Sequence, residues 1–190
     1  MFEDLLVKIA KALKEAVLPY MIIGGQAVLL YGTPRMTKDI DITLGVDIDC
    51  LEKAVEVIRR IDLEIIPEFF GDFVRKTYVL PTKDKTTGIR VDFIFSFTPY
   101  ERQAIGRANH VLLQGTAVMF AAVEDVIVHK IFAGRPRDLE DVRSIIIKNP
   151  DLNREYTNKW LREFELSMES GGFTTQFDDL LKEVGYRYTP

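Results

Sequence analysis

Two stretches of this 190-residue chain, Lys38–Leu44 and Ile89–Phe97, alternate apolar and polar residues with a period of two. At that period successive side chains leave opposite faces of an extended strand, so both stretches are predicted as strands that bury one face. In the first, Ile40, Ile42 and Leu44 point one way, and Asp39, Asp41 and Thr43 the other. In the second, Ile89, Val91, Phe93, Phe95 and Phe97 form the apolar face, with Arg90, Asp92 and Ser96 opposite. Any fold that accepts both strands has to carry aspartates on the face that the core does not use.

The neighbouring segments say what kind of sheet this is. Phe2, Leu5, Leu6, Ile9, Leu13 and Val17 recur at helical spacing, which predicts an amphipathic helix from Phe2 to Val17, broken by Pro19. Tyr20–Ile23 reads as a short buried strand, and Gly24-Gly25 turns it into a helix over Gln26–Tyr31. A helix over Leu51–Arg60, a strand over Leu63–Ile66 and a strand over Thr77–Leu80 follow, with a polar turn from Pro81 to Gly88. One or two further strands are expected between Val111 and Phe120. Beyond Glu124 the pattern is helical: Val123–Phe132, Asp138–Lys148, Asn153–Met168 and Phe177–Val184 are expected helices. The fold class is therefore α+β over residues 1–121, followed by a C-terminal helical region over 122–190.

Composition removes several alternatives. One cysteine, Cys50, forms no internal disulfide, and with two histidines it makes no Cys/His zinc site. The acidic N-terminus is unlike a signal peptide and no apolar run reaches membrane-span length, so a cytoplasmic protein with no membrane partner is expected. A net charge of −4 gives no global electrostatic case for nucleic-acid binding.

Asp39 and Asp41 stand at i and i+2 of a strand, so both reach the same side, about 6–7 Å apart. Magnesium takes oxygen ligands and is held by a few carboxylates, and a bound cation relieves their mutual repulsion. The letters alone mean little, because Asp47-Ile48-Asp49 repeats them. That second copy precedes the Leu51 helix, where Asp49 or Cys50 is expected as an N-cap, and it is assigned a structural role. The first copy differs in its surroundings. Gly24-Gly25 ends a strand and opens a helix, leaving free amides that suit a phosphate and no Cβ to obstruct it. A later strand adds Asp92, whose alternative role is a solvent-facing acid paired with Arg90.

Gly24-Gly25, thirteen intervening residues, Asp39-Ile40-Asp41 and a distant strand aspartate, Asp92, resemble the signature of the polymerase-beta-like nucleotidyltransferase superfamily. The string Arg35-Met36-Thr37-Lys38-Asp39-Ile40-Asp41 resembles more pointedly the small prokaryotic members related to the abortive-infection (AbiEii-type) toxins. This resemblance implies a nucleotidyltransferase fold, with a mixed, mainly antiparallel sheet flanked by helices, and a catalytic set of Asp39, Asp41 and Asp92 that binds Mg2+ or Mn2+. It implies transfer of a nucleotidyl group from a nucleoside triphosphate, ATP among them, to a hydroxyl, by two-metal in-line displacement with pyrophosphate leaving. Many relatives have Gly-Ser where this chain has Gly24-Gly25, so Thr33 or Thr37 is the candidate hydroxyl near phosphate.

A second charged segment lies at Lys130, Arg135 and Arg137, followed by Asp138 and Asp141 on one helical face. By itself it reads as solvated helix ends, with Asp138 capping the next helix. It also resembles the Lys…Arg-Asp-x-x-Asp element of the toxin-related enzymes, which implies nucleotide contacts from Lys130, Arg137, Asp138 and Asp141, with Arg35 a further phosphate ligand.

His110, His129 and Cys50 show no catalytic spacing, and Trp160, Leu161 and Phe164 read as tail core. The acceptor stays open between a small molecule, RNA and protein; Glu68, Asp72 or the tail acids would suit a cationic small molecule. Two other readings stand beside the active transferase. One is a catalytically weak nucleotide-binding module. The other is the toxin of a toxin–antitoxin pair, with an antitoxin partner.

Overall fold

The computed structural model describes residues 1–96, 98–168 and 171–186. Phe97, expected on the apolar face of the second alternating strand, lies outside the described residues. The chain forms two compact units, one of residues 1–26 and 37–121, the other of 27–36 and 122–190. The segment 27–36, grouped by sequence with the sheet, packs with the C-terminal helices.

The first unit is built on one seven-stranded mixed sheet. Its strands are β1 (Tyr20–Ile23), β2 (Asp39–Leu44), β3 (Leu63–Ile65), β4 (Val79–Asp84), β5 (Arg90–Phe95), β6 (Asn109–Leu113) and β7 (Thr116–Phe120), in the order β3-β4-β5-β2-β1-β7-β6. Two neighbouring pairs are parallel, β2 with β5 and β1 with β7; the rest are antiparallel, as the sequence leads one to expect. Ile40, Ile42, Leu44, Val91, Phe93 and Phe95 are all buried, so the alternation does set the core face. Each of these side chains contributes roughly 1.5–3 kcal/mol on leaving water.

Around the sheet stand α1 (Phe2–Glu15), the first turn of α2 (Gly24–Tyr31), α3 (Leu51–Arg60), α4 (Phe70–Thr77) and α5 (Pro99–Gly106). The helix expected to Val17 stops at Glu15, because Val17 takes a left-handed backbone, φ 51°, and points into solvent. Two helices are additions. For α5 the start signal is present in the sequence: the Thr98 hydroxyl accepts a hydrogen bond from the Glu101 amide, the Glu101 carboxylate accepts one from the Thr98 amide, and Pro99 opens the helix. For α4 there is only one buried residue, Val74, and no capping side chain, so little in the sequence announces it.

The expected Pro81–Gly88 turn is shorter than predicted. β4 runs through Pro81 to Asp84, with the Pro81 carbonyl accepting from Ile66 of the β3 end. Asp84 then closes the loop itself, its Oδ2 accepting from the Thr87 amide at 2.7 Å and the Thr87 hydroxyl at 2.6 Å. The expected one or two strands before Phe120 are the β6–β7 hairpin, turning at Gln114-Gly115, where both residues have positive φ.

The second unit holds the remainder of α2, the Gly32–Met36 segment, and α6 (Val123–Ala133), α7 (Pro136–Lys148), α8 (Arg154–Met168) and α9 (Phe173–Glu183). α9 starts four residues before its predicted Phe177, because Glu165 accepts from the Gly172 and Thr174 amides and so satisfies its first turn. Trp160 and Leu161 are buried as expected, and Phe164 stacks on Phe132 with ring centroids 5.3 Å apart. Gly32–Met36 is tied to α7: Ser144 accepts from the Thr33 amide at 3.1 Å, and Lys148 and Asn149 donate to the carbonyls of Gly32 and Tyr31. Among the described residues no helix is long and apolar enough to cross a membrane.

Candidate active site

In the first unit the three aspartates lie on the face opposite the core. β2 and β5 run parallel in a register that sets Asp41 beside Asp92 and Asp39 beside Arg90. Neighbouring strands lie about 4.8 Å apart, so the side chains of Asp41 and Asp92 leave the sheet as immediate neighbours. All three carboxylates are half-buried. Further along the same face, Thr43 is fully covered, and its hydroxyl finds no hydrogen-bond partner among the described residues. The polar face is thus wet only at its aspartate end.

Gly24 stands at the start of α2 with φ 63°, and a Cβ built there would lie 2.0 Å from Asp41 Oδ2 and 2.9 Å from its Cγ. Two constraints therefore demand glycine at this position: the left-handed backbone and the closeness of the Asp41 carboxylate. Beside the phosphate that the sequence suggests as the reason for Gly24, the structure supplies Asp41 as a reason inside the protein. Gly25 is buried in the first turn of α2, where backbone amides lack helical acceptors. Gln26, which sequence reasoning passes over, donates from Nε2 to the Thr37 hydroxyl at 2.6 Å and so joins the start of α2 to the residue two before Asp39. No spacing rule would have found that bond. Thr37 is half-buried, whereas Thr33 belongs to the second unit and is exposed.

The alternative role weighed for Asp92 is also present. Arg90 Nε donates to Asp92 Oδ1 at 2.8 Å. That hydrogen bond is the chief reason the Arg90 guanidinium is held above its ordinary pKa, working against burial and helped by the charges of Asp92, Asp39 and Asp41. One cation thus feels the field of all three carboxylates.

Among the described residues no three His, Cys, Asp or Glu side chains converge into a ready-made metal cage. The donor set still fits a divalent cation. Its oxygens are hard carboxylate ligands on one face, and the nearby Arg90 cation is one that all three attract.

The second unit carries the other charged group. Lys130, 6% exposed, donates to Asp138 Oδ1 at 2.6 Å and lies 3.0 Å from Asp141 Oδ2. Arg35 grips Asp141 with both prongs, Nε and the terminal nitrogen each at 2.8 Å. Arg135 Nε donates to the other oxygen of Asp138 at 2.5 Å. Burial would raise both carboxyls, but hydrogen bonds from Arg135 and Lys130 hold Asp138 below its ordinary pKa, and those from Arg35 and Lys130 do the same for Asp141. Asp138 does not cap α7: Arg135 takes the cap position, Pro136 opens the helix, and Asp138 sits within the first turn. Arg137 is exposed, with a long bond of 3.5 Å to the Met36 carbonyl.

The second Asp-x-Asp copy is structural. Asp47 Oδ1 accepts from the Ile48 amide at 2.7 Å and caps a 3-10 turn over Ile48–Cys50 that leads into α3. Of the caps expected for the Leu51 helix, Cys50 does take the N-cap position of α3, though without a side-chain bond, while Asp49 lies within the 3-10 turn. Glu68 and Asp72 are exposed, and Asp72 pairs with Arg75 on its own helix.

The fold has counterparts among proteins of known structure. The antibiotic-resistance factor ANT(2'')-Ia, seen in complex with adenylyl-2''-tobramycin, superposes with a TM-score of 0.59 at 19% identity over 88% of this chain and 98% of its own. Its solution structure matches with the same score at 16% identity, over 88% and 94% of the two chains. An antigenic nucleotidyltransferase-like protein from Paracoccidioides brasiliensis matches with a TM-score of 0.59 at 17% identity, over 99% of this chain and 94% of its own. At these identities the likeness is one of fold. No curated protein matches the sequence. The family itself is defined by residues 2–170, which match the model described as "Nucleotidyltransferase of unknown function (DUF6036)". The chain belongs to that family.

Proposed function

We propose that this protein is a divalent-metal-dependent enzyme that moves a nucleoside monophosphate from a nucleoside triphosphate to a hydroxyl. The observation that carries the reading is the β2–β5 register, which sets Asp41 beside Asp92 with Asp39 on the same face. Asp39, Asp41 and Asp92 hold Mg2+ or Mn2+. When bound, the ion supplies charge stabilisation to the phosphate oxygens and a lowered barrier to losing pyrophosphate.

The chain's own groups account for the rest. The amides at Gly24 and Gly25 hold phosphate oxygens, as free amides at a helix start do. Thr37, fixed by Gln26, lends its hydroxyl to the same task. Asp92 orients the acceptor hydroxyl and takes its proton as the acceptor oxygen bonds to the α-phosphorus and the bond to pyrophosphate breaks. Within the second unit, Arg137 is exposed, with one long bond to the Met36 carbonyl, and is assigned to nucleotide phosphate. Arg35, Lys130, Asp138 and Asp141 support it from their ion-paired cluster, and their resemblance-based nucleotide contacts remain part of this proposal. The Arg35–Asp41 string likewise supports kinship to the toxin-related enzymes, with an antitoxin as the corresponding partner.

Calorimetry with Mg2+ and each nucleoside triphosphate tests the site. Asp39→Ala and Asp41→Ala are expected to lose metal-dependent nucleotide binding with the circular dichroism of the fold unchanged. Wild-type affinity in either variant would sink the metal site. Labelled triphosphate offered with small-molecule, RNA and protein fractions then identifies the acceptor by which fraction takes the label.

A further inference from the structure

The chemistry above leaves Arg90 without a task, although it touches the one aspartate proposed to handle a proton. Its bond to Asp92 is short and directional, 2.8 Å from Nε, and the register sets its other flank beside Asp39. The two partners differ in freedom: the Asp92 side chain is 16% exposed and that of Arg90 55%. On the remaining side, β4 sets Lys83 opposite Arg90, a like charge with no acceptor to offer. Arg90 therefore has carboxylates on one flank, repulsion on the other, and open solvent above.

We propose that Arg90 is a place-holding cation: it occupies Asp92 until a divalent ion arrives, then yields the carboxylate and donates its guanidinium to the triphosphate that accompanies the ion. The inference rests on the metal site proposed above. Three carboxylates within one patch repel each other, and a single internal guanidinium offsets much of that cost. A free ion has to displace it with nothing returned. An ion that comes with nucleotide brings phosphate oxygens, whose geometry suits the released planar fork. Arg90 thereby makes the site favour the metal–nucleotide complex over the bare metal, acting as a specificity and positioning residue.

Two titrations on the full chain test this, one of free Mn2+ by electron paramagnetic resonance and one of Mn2+ with a non-hydrolysable ATP analogue by calorimetry. Arg90→Gln is expected to bind free Mn2+ about three- to tenfold more tightly, since a competing ion pair is gone. The same variant is expected to bind the Mn2+–nucleotide complex about tenfold more weakly. Arg90→Lys should fall between wild type and Arg90→Gln in both. A merely structural arginine would not move the two affinities in opposite directions, so equal shifts of one sign, or none, overturn the proposal. Asp41→Asn run alongside separates the two layers. If it binds free Mn2+ as wild type does, the metal site itself fails and this inference with it. If it loses Mn2+ while Arg90→Gln leaves free-metal affinity unchanged, the place-holding role alone is wrong.

Discussion

The two units each gather aspartates and basic side chains, and they end in opposite electrostatic states. On the sheet of the first unit, Asp39, Asp41 and Asp92 share one internal cation, Arg90, and stay half-buried. Among the helices of the second, Asp138 and Asp141 are buried and divide three cations, Lys130, Arg35 and Arg135. The first group is the one proposed to take a positive ion; the second is held together by its own ion pairs. Residue type says little about whether a cluster binds a ligand or holds the chain together. Stoichiometry and burial decide it.

The sharpest way to break that contrast is to remove one acid from each group. Asp41→Ala is expected to lower metal-dependent nucleotidyl transfer by on the order of 10^3-fold or more. Its melting temperature should hold or rise, because one of several repelling carboxylates has gone. Asp141→Ala should do the reverse to stability, since it strands Lys130 and Arg35 near a lost partner. Melting curves and label-transfer rates for the pair check this, and an unstable Asp41→Ala would show that the first group is structural too.

Next in size is Lys130→Met. Removing the central ammonium leaves two buried carboxylates with only one arginine each, and breaking a buried pair typically costs about 3–5 kcal/mol. Denaturant unfolding measures it. If the loss is below about 1 kcal/mol, a small value for a buried partner, Lys130 is not the keystone of the cluster.

Acid titration sharpens the comparison with the protein intact. Asp138 and Asp141 have folded pKa values below their ordinary 3.8. A depressed folded pKa means that the unfolded chain binds protons first, so the stabilisation is complete above the ordinary value. It drains away as pH falls from there through the folded pKa values. Wild type is therefore expected to lose stability steeply below about pH 4, and a double variant, Asp138→Asn with Asp141→Asn, less so. Equal pH slopes in the two would detach the cluster from acid sensitivity.

How much of this was legible beforehand depends on distance along the chain. The strand alternation at Lys38–Leu44 fixed which face would be buried, and the core residues Ile40, Ile42, Val91 and Phe93 follow it. Asp92 was grouped with Asp39 and Asp41 from the sequence, but its pairing with Asp41 in particular was not legible, because the register of strands fifty residues apart is set by packing, not local spacing. α4 was invisible for lack of a buried face, while α5 had a capping box and a proline that spelled it out. The positive cluster read as solvated helix ends; its two aspartates are instead buried, because cations from three places in the chain converge on them.

The smallest expected effect concerns the repeated triplet. Asp47 caps a single 3-10 turn in a solvent-exposed position, with one 2.7 Å bond to its neighbour's amide. Losing such a cap costs about 0.5–2 kcal/mol, and the exposed, one-turn setting favours the low end. Asp47→Ala is therefore expected to shift the melting temperature by a few degrees at most and to leave Mn2+ affinity and nucleotidyl transfer unchanged. The same change at Asp39, in the same three-letter context, is expected to remove metal binding. The two triplets share their letters but neither their backbone, strand in one and 3-10 turn in the other, nor their neighbours. Asp41 has Gly24 pressed against its carboxylate and Asp92 on the adjoining strand, whereas Asp47 has one backbone amide. A metal titration in which the two alanine variants lose equally would mean that neighbouring strands do not make the site, and the reading built on their register would go with it.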